Sequence, residues 1–410
     1  MHTGSRILLL ALLAICAGCA NQETADIVFR NVTVIAMATD EPFEATVIVD
    51  DGKISSIAAP FAPVRASLEI DGSGKFLLPG LIDSHVHLAS FNEHPEGLER
   101  LLRFGVTTVR DMGADPAIIV SWRDEIAAGV RSGPELLIVG ATLNGDTAFP
   151  FHRTVATPED AAAAVKEMVD LGAVQIKVHN GLSADTFEAI LLAANEIGIQ
   201  VVGHIPPGPG ALNACLLGMS EISHASALLE ALLWRDKNPP SGLLQAITEL
   251  TTDQGDDLYA CMADREMAFA PNLSMYLPIL ETLPEEQRAM TQRLVAKLGE
   301  AALRAKVHNV RIIAATDANG ADDHIGLGSG LHQELELLVE YGFTPIEALR
   351  TATVNPASHL GRGDVIGTIE LGKQADLLLL CANPLEDISN TQLIAGVFSD
   401  GKAVSSLGEC

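Results

Sequence analysis

The chain has 410 residues, of which 48% are hydrophobic, and this composition excludes a disordered or fibrous protein. The length permits either one large barrel with a smaller domain or two domains of medium size. The formal charge of −27, from 53 acidic and 26 basic residues, would repel phosphate backbones and acidic lipid headgroups, so nucleic acid is excluded as a partner.

The first predicted element is an export signal. Arg6 is followed by an apolar run over residues 7–15, which is too short to span a bilayer. Two small residues then precede Cys19, as in bacterial lipoprotein leaders, so we expect removal of residues 1–18 and lipidation of Cys19. Cys16 replaces the usual aliphatic residue three before Cys19, which leaves cleavage into a soluble exported protein open. We expect a periplasmic or outer-membrane-anchored protein, with the lipid as its contact to the membrane.

Strand-like runs follow the leader and return at the end of the chain. They cover residues 27–37, 45–49 and 53–58, and later 367–371, 375–380 and 396–404. Asp-Gly pairs at 51–52 and 400–401 are typical of tight hairpin turns. The two ends therefore predict one small β-sandwich domain, built from residues 19–78 and 361–410.

Residues 79–360 alternate short apolar strands with Ala-rich helical stretches, which predicts an α/β fold with parallel strands. Eight candidate strands cover residues 81–88, 106–112, 136–141, 174–179, 200–205, 221–225, 267–273 and 311–317. Eight such units over this length favour a (β/α)₈ TIM-type barrel. A doubly wound sheet is the alternative.

Six chemically active side chains lie at or near the carboxyl ends of these strands: His85, His87, Lys177, His204, His224 and Asp317. His85 and His87 are two residues apart on one strand, so both point to the same face and one metal ion could bind both. Each residue alone has an ordinary explanation, as a strand lysine, a core histidine or a helix N-cap. Because the carboxyl ends of barrel strands meet at one mouth, the position of all six residues at such ends predicts a single site.

The motifs LPGLIDSHVH, VQIKVH, VVGHIP, ISHA and AATDA, in that order, resemble the amidohydrolase superfamily. The tail segments NPA and GTIELGKQADLLLL extend the resemblance over nearly the whole mature chain. The resemblance implies two metal positions, the first held by His85, His87 and Asp317 and the second by His204 and His224. Lys177 would bridge them as a carbamate formed with carbon dioxide, because an ammonium has no lone pair for a metal. Zinc is the expected ion, since imidazoles and carboxylate-type oxygens suit it.

The mechanism that this resemblance implies uses a hydroxide bridged between the two metals, which attacks the substrate carbonyl. Asp317 would be the catalytic proton shuttle, accepting the proton of the nucleophile and passing it to the leaving nitrogen. His152, His179 and Tyr276 follow or end the third, fourth and seventh strands and are expected to contact substrate, or else to be polar rim residues.

Three further patterns have structural interpretations. Arg110 and Asp111 end the second strand and are interpreted as an ion pair. His332 lies on a helical pattern beyond the eighth strand and is interpreted as structural. Disulfides are permitted outside the cytoplasm, but spacing does not say whether the remaining cysteines pair, namely Cys215, Cys261, Cys381 and Cys410.

The segments around Lys177 and the tail are most similar to the branch of metal-dependent dipeptidases, prolidases and imidazolonepropionase-like enzymes. This similarity implies hydrolysis of an amide or peptide bond in a small substrate, an X-Pro-like dipeptide or an N-acyl amino acid. Deamination of a nitrogen heterocycle is an alternative, and so is lactonase, esterase or phosphotriesterase activity at the same metals. A non-catalytic binding lipoprotein is the remote alternative, and assembly into a homo-oligomer stays open.

Overall fold

The structure is a computed structural model that describes residues 24–90, 95–146, 149–319, 326–404, 407–408 and 410. The predicted leader and Cys19 lie outside the described residues. Within these ranges, no helix is both long enough and apolar enough to cross a membrane.

The first five strands belong to the predicted sheet domain. They are β1 (Ala25–Val34), β2 (Phe43–Asp50), β3 (Lys53–Ala58), β4 (Ala66–Asp71) and β5 (Phe76–Pro79). Antiparallel β2 and β3 are joined by Asp51 and Gly52, whose φ angles of 48° and 72° fit the left-handed turn that the Asp-Gly pair predicts. β1 pairs with β2 on one edge and with β4 and β5 on the other.

The next ten strands build the barrel and a short extension of it. They are β6 (Leu81–His87), β7 (Val106–Asp111), β8 (Glu135–Ile138), β9 (Thr142–Asn144), β10 (His152–Thr154), β11 (Ile176–Val178), β12 (Val201–Gly203), β13 (Glu221–Ser223), β14 (Ala268–Ala270) and β15 (Ala318–Asn319). Their pairing is parallel throughout, in the orders β15-β6-β7-β8 and β10-β9-β11-β12-β13-β14.

Backbone hydrogen bonds join these two groups into a closed barrel. The Val174 N–H donates to Ile138 O (2.9 Å), linking β8 to the segment that leads into β11. On the other side, Ile313 N–H donates to Phe269 O (3.0 Å) and Ser84 N–H donates to Ala314 O (3.2 Å). The predicted α/β barrel is therefore confirmed, although its eighth strand is irregular and is represented by the short strand β15, which pairs with β6.

Thirteen α-helices are found in the described residues, and most of them surround the barrel. Their bounds are α1 (Glu96–Arg103), α2 (Pro116–Ala127), α3 (Ala161–Asp170), α4 (Ala184–Ile197), α5 (Ala211–Leu216), α6 (Ala225–Leu233), α7 (Leu243–Thr251), α8 (Asp256–Asp264), α9 (Tyr276–Thr282), α10 (Glu285–Val307), α11 (Ser329–Glu340), α12 (Pro345–Thr351) and α13 (Val354–His359).

Helix α4 shows how local sequence sets these bounds. The Ser183 hydroxyl accepts a hydrogen bond from the Thr186 N–H (3.1 Å) and caps the first turn, and Gly198 ends the helix in a left-handed conformation. Its inner face buries Phe187, Ile190 and Leu191. Full burial of each such side chain contributes about 1.5–3 kcal/mol.

The chain then returns to the sheet domain through β16 (Leu377–Leu380), β17 (Ile394–Ser399) and β18 (Lys402–Ala403). β16 lies antiparallel to β5, so strands from the two chain ends are hydrogen-bonded side by side. The domain has its own apolar core, in which Phe29 and Phe398 pack edge to face at 4.8 Å between ring centroids. The sheet domain predicted from both chain ends is present.

Two disulfides occur among the described residues. Cys215 on α5 pairs with Cys261 on α8, and Cys381 after β16 pairs with Cys410. The second bond attaches the end of the chain to the sheet domain.

Candidate functional site

A cavity of about 260 Å³ opens at the carboxyl ends of the barrel strands. Its walls include eight of the residues predicted from the sequence: His85, His87, His152, Lys177, His179, His204, His224 and Asp317. Strand alternation explains the convergence, because successive strands of a closed barrel deliver their last inward side chains to the same mouth.

Three nitrogen and oxygen atoms meet at one side of this cavity. His85 Nε2 lies 3.2 Å from Asp317 Oδ1, His87 Nε2 lies 3.4 Å from the same oxygen, and the two nitrogens are 3.3 Å apart. Ligands at about 2.1 Å from a tetrahedral zinc ion are separated from one another by about 3.4 Å. The triangle therefore fits three ligands of a single metal ion.

The tautomer of His87 supports this fit. Its Nδ1 lies 2.8 Å from the carbonyl oxygen of Gly113, and a carbonyl can only accept a hydrogen bond. Nδ1 therefore carries the proton, and Nε2 directs its lone pair toward the triangle. A histidine held through its second nitrogen in this way is the usual arrangement at metal sites.

A second group of ligands lies beside the first. The His224 ring centroid is 4.7 Å from that of His85 and 4.9 Å from that of His204, and His224 Nδ1 is 4.0 Å from Asp317 Oδ2. Three atoms of this group, His204 Nδ1, His224 Nδ1 and Lys177 Nζ, are buried with no hydrogen-bond partner among the described residues. Buried polar atoms are ordinarily bonded, so this set has the chemistry of an imidazole-rich metal site.

Gly203, the last residue of β12, makes room for the Lys177 side chain. A Cβ atom at Gly203 would lie 2.8 Å from Lys177 Cδ and 2.4 Å from the backbone oxygen of Val178. The φ angle of Gly203 is also +121°, where L-residues are strained. Glycine is therefore required next to His204 for the lysine to reach the cavity.

Burial controls the protonation of the site. It lowers the pKa of Lys177 to about 8, and Arg110 adds to this effect against the opposing charges of Asp317 and Glu221. Burial, reinforced by the positive charge of Lys177, holds the pKa of His85 and of His204 well below the usual range. These imidazoles are neutral at pH 7, as metal ligands must be.

Asp317 remains a carboxylate. Burial opposes its ionisation, but the neighbouring His224 and His87 outweigh that effect and lower its pKa to about 2. The same contact raises the pKa of His87 against the effect of burial. Asp317 is therefore ionised at neutral pH and can accept a hydrogen bond or a proton.

The backbone is strained at two of these positions. His224 and Asp317 have φ angles of 69° and 59°, which residues with a Cβ seldom adopt. Hydrogen bonds hold both conformations: Asp317 N–H donates to His85 O (2.9 Å), and His224 N–H donates to Ala270 O (2.8 Å). Such strain is concentrated at functional sites in proteins.

Asp83 connects the two strands that carry the first triangle. Its carboxylate accepts hydrogen bonds from the Thr316 hydroxyl (2.7 Å), the Thr316 N–H (3.2 Å) and the His85 N–H (3.2 Å). Asp83 is completely buried, and its contacts fix the segment before Asp317 against β6.

The predicted pairing of Arg110 with Asp111 is wrong. Arg110 instead forms a buried bidentate ion pair with Glu221, with N···O distances of 2.7 and 2.8 Å. Glu221 also accepts from His359 Nε2 (2.8 Å), while Asp111 accepts from the Leu88 and Gly113 N–H groups. Neighbouring residues on a strand point to opposite faces, so Arg110 faces the barrel interior and Asp111 does not.

The three residues expected to contact substrate differ in whether they line the cavity. His152 and His179 line the cavity with ring centroids 5.3 Å apart, and His179 stacks on His204 at 4.3 Å. Tyr276 begins α9 and is 9% exposed, and the described cavity wall contains its neighbour Met275 rather than Tyr276.

His332 is buried on α11 and contacts the Thr391 hydroxyl and Phe104 O, in keeping with a structural role.

Sequence reasoning missed several residues that build the site. Asp83 shares its strand face with His85 and His87, and Gly203 immediately precedes His204, so their positions carried a detectable signal. Phe149 and Phe151 line the cavity from the loop between β9 and β10. Loop sequence alone gave no indication that these two side chains line the cavity.

Comparisons with known proteins agree with this architecture. An adenine deaminase of Desulforamulus reducens is 25% identical over 95% of this chain, but the match covers only 59% of the deaminase. An imidazolonepropionase of Aromatoleum aromaticum is 27% identical over 86% of this chain and 90% of its own length. A solved structure from Bifidobacterium longum, assigned as a prolidase, is 28% identical with a TM-score of 0.73, covering 94% of this chain and 96% of that one.

The model of the amidohydrolase family matches residues 76–404 of this chain. The matched range contains the six residues at the centre of the cavity and both ends of the barrel. The closed parallel barrel, the sheet shared by the chain ends and the converging ligand atoms are independent of that match and agree with it. The chain therefore belongs to the amidohydrolase family.

Proposed function

We propose that the protein hydrolyses an amide or peptide bond in a small substrate, an X-Pro-like dipeptide or an N-acyl amino acid. The observation that carries this proposal is the position of Lys177, whose buried Nζ has no hydrogen-bond partner among the described residues and lies in a cavity with His85, His204 and His224. A lysine in this position fits a bridge between two ions. In the dipeptidases and prolidases that the sequence resembles, such a lysine bridge accompanies hydrolysis of amide bonds.

The residues present fit two divalent ions, with zinc as the preferred one. His85, His87 and Asp317 would hold the first ion, and His204 and His224 the second. Lys177 would hold both as a carbamate, formed when the Nζ lone pair bonds to the carbon of carbon dioxide and one proton leaves the nitrogen. Ions bound here would lower the pKa of water and polarise the substrate carbonyl.

The chain's own residues supply the proton transfers and the orientation of the substrate. Asp317, a carboxylate at neutral pH, would accept the proton of the nucleophilic water and deliver it to the leaving nitrogen. His152 and His179, kept neutral because burial lowers the pKa of each, would donate hydrogen bonds to the substrate's carbonyl or carboxylate oxygens. The phenyl rings of the mouth would exclude bulk water from the cavity.

Deamination of a nitrogen heterocycle is a second candidate, favoured by the similarity to adenine deaminases over 95% of this chain. The two reactions differ in their products and in their expected metal content. The test combines metal analysis per chain with assays on a dipeptide and N-acyl amino acid library and on adenine. Two metals with amino-acid release would support the proposal, whereas one metal with ammonia release from adenine would replace it with deamination.

We also propose that the mature protein is exported. Disulfides persist in oxidising compartments, and the two pairs among the described cysteines fit the export predicted from residues 1–18. Lipidation of Cys19 remains part of this proposal. Its test is membrane fractionation of a Cys19→Ser variant in a bacterial host, where continued firm attachment would reject the lipid anchor.

A further inference from the structure

Two phenylalanines form a flat apolar wall at the mouth of the cavity. The rings of Phe149 and Phe151 are parallel within 2° and their centroids are 5.4 Å apart. Phe151 is buried at 7% exposure, whereas Phe149 is 38% exposed and borders the opening. We call these two residues the phenyl wall.

The phenyl wall is held in place by its neighbours. The His152 ring stands at 90° to both phenyl rings, with centroid distances of 5.0 and 5.1 Å. His152 Nδ1 lies 3.2 Å from Asn144 Nδ2, and Asn144 Oδ1 accepts from the Gly181 N–H at 2.9 Å. The wall therefore packs against a side chain of the barrel extension that is itself hydrogen-bonded.

The wall also lies next to the reacting centre. The Phe151 ring centroid is 5.5 Å from that of His87, which belongs to the first ligand triangle. A substrate group that is one or two bonds from the scissile carbonyl would therefore contact the wall. Met275 also lines the cavity and adds a polarisable side chain suited to aromatic contact.

The cavity's size and polarity restrict what the wall can contact. The cavity volume of about 260 Å³ lies just below the usual range of about 300–1,000 Å³ for ligand pockets. The acidic and basic side chains that line the cavity are the proposed metal ligands together with His152 and His179. The wall itself offers phenyl surface, which favours a flat apolar ring and provides no partner for the ring nitrogens of a purine.

We propose that the phenyl wall is a subsite for an aromatic ring, of phenyl size, on the amino acid or acyl group beside the scissile amide bond. This inference rests on the proposed amide hydrolysis and names its substrate class. Aromatic pairs are stabilised by offset or edge contacts in addition to burial of their area, so the ring is recognised as such and not only as apolar bulk.

The first experiment measures binding without turnover. The ligands are 3-phenylpropionate and butyrate, titrated calorimetrically into the zinc-loaded protein. The phenyl ligand binds about tenfold more tightly in the wild type, and Phe149→Ala removes most of this difference. The matched control is Phe43→Ala on the sheet domain, because Phe43 is 39% exposed, nearly the same as Phe149. The control keeps the preference.

The second experiment measures turnover on Phe-Pro against Ala-Pro and on N-acetyl-phenylalanine against N-acetyl-alanine. For whichever of the two substrate pairs is cleaved, the wild type has a higher kcat/KM on the phenyl substrate than on the alanine substrate. The ratio of these two values falls about tenfold in Phe149→Ala and takes an intermediate value in Phe149→Leu. Equal binding of both probes by the wild type, or a preference unchanged in Phe149→Ala, would overturn the subsite. A retained binding preference without cleavage of any amide would instead reject the proposed function and leave the subsite standing.

Discussion

Individual side chains decide what the cavity can bind. Their buried nitrogen and oxygen atoms that have no hydrogen-bond partner among the described residues lie close together in it. The meeting of the proposed ligand residues in one cavity was predictable from sequence, since strand alternation places His85 and His87 on one face and the strand ends bring the rest together. The Asp83 contacts and the need for Gly203 were not predictable in the same way. They depend on how closely neighbouring strands approach, and spacing along one strand does not report that distance.

Lys177→Ala is expected to lose metal and at least about 100-fold in activity, because it removes the atom proposed to join two ions. Added short carboxylic acids should restore part of both by occupying the space of the carbamate. Metal analysis and turnover are measured together. Lys166→Ala is the control, since that lysine is exposed and pairs with Asp170 in helix α3. Normal turnover by Lys177→Ala would reject the two-metal proposal.

Gly203→Ala tests the space beside the lysine. The added Cβ would collide with Val178 O and the Lys177 stem, so we expect a loss of about 1–3 kcal/mol in the free energy of unfolding together with loss of metal. Gly198→Ala is the matched control, because Gly198 also has a positive φ, of 83°, but has open space around it. Urea unfolding and metal content give the result, and equal behaviour of the two variants would contradict the proposed fit.

Asp317→Asn is expected to fold but to lower kcat by about 10²–10⁴-fold, the range for removal of a general acid-base group. The amide cannot take up the proton, and it is a weaker metal ligand than the carboxylate. The measurement is kcat with metal content held at the wild-type level by reconstitution. A rate equal to that of the wild type would exclude Asp317 as the proton shuttle.

At the level of strands and helices, the alternating pattern predicted the barrel but not its irregularities. Residues 311–317 were predicted as one strand. The structure has a bridge at Ile312 and separate backbone hydrogen bonds at Ile313 and Ala314, and the regular strand β15 begins only after Asp317. The left-handed φ of Asp317 interrupts the extended backbone at that point. Hydrophobic periodicity cannot register such a bend, because side chains on either side of it remain buried.

The buried pair of Arg110 on β7 and Glu221 on β13 connects opposite parts of the barrel beneath the ligands. Burial opposes ionisation of Glu221, but Arg110 and His359 lower its pKa below the usual 4.5. A carboxylate with a lowered pKa stabilises the fold above about pH 4.5, and this contribution is lost as the pH falls further. Replacing one partner leaves an unpaired buried charge and costs about 3–5 kcal/mol.

We therefore predict that Glu221→Gln unfolds more easily than the wild type at pH 7 by about 3–5 kcal/mol, and that the difference shrinks between about pH 5 and pH 3. Urea unfolding of both proteins over this range checks the prediction. Glu69→Gln serves as the control, since that carboxylate forms an ion pair with Arg30 at the surface. A difference that stays constant with pH would contradict the assignment of the pair.

For the whole molecule, the disulfide pairing could not be derived from sequence, because four cysteines allow three pairings and only the folded chain brings two pairs together. Cys215 and Cys261 are separated by 46 residues, and Cys381 and Cys410 by 29. Closing loops of this size stabilises a fold by up to about 4 kcal/mol each.

Reduction and alkylation of the protein are expected to lower its free energy of unfolding by several kcal/mol, on the order of 4 per bond at most. Mass spectrometry of unreduced peptides identifies the two cross-links, and urea unfolding gives the loss. Cys381→Ser and Cys215→Ser separate the two contributions. Different cross-links, or four free thiols in the exported protein, would contradict the pairing.

The sheet shared by the chain ends also has a consequence for the order of folding. β5 pairs with β16, and the start of β3 bonds to Gln374 and Lys373, so the sheet begun by the first strands is completed only by residues from the far end of the barrel sequence. Contacts so distant in sequence form late and slowly. The sheet domain is therefore expected to stay incomplete until β16 has been made, and an incompletely folded chain is the state required for translocation if the predicted leader directs the protein across a membrane before it folds.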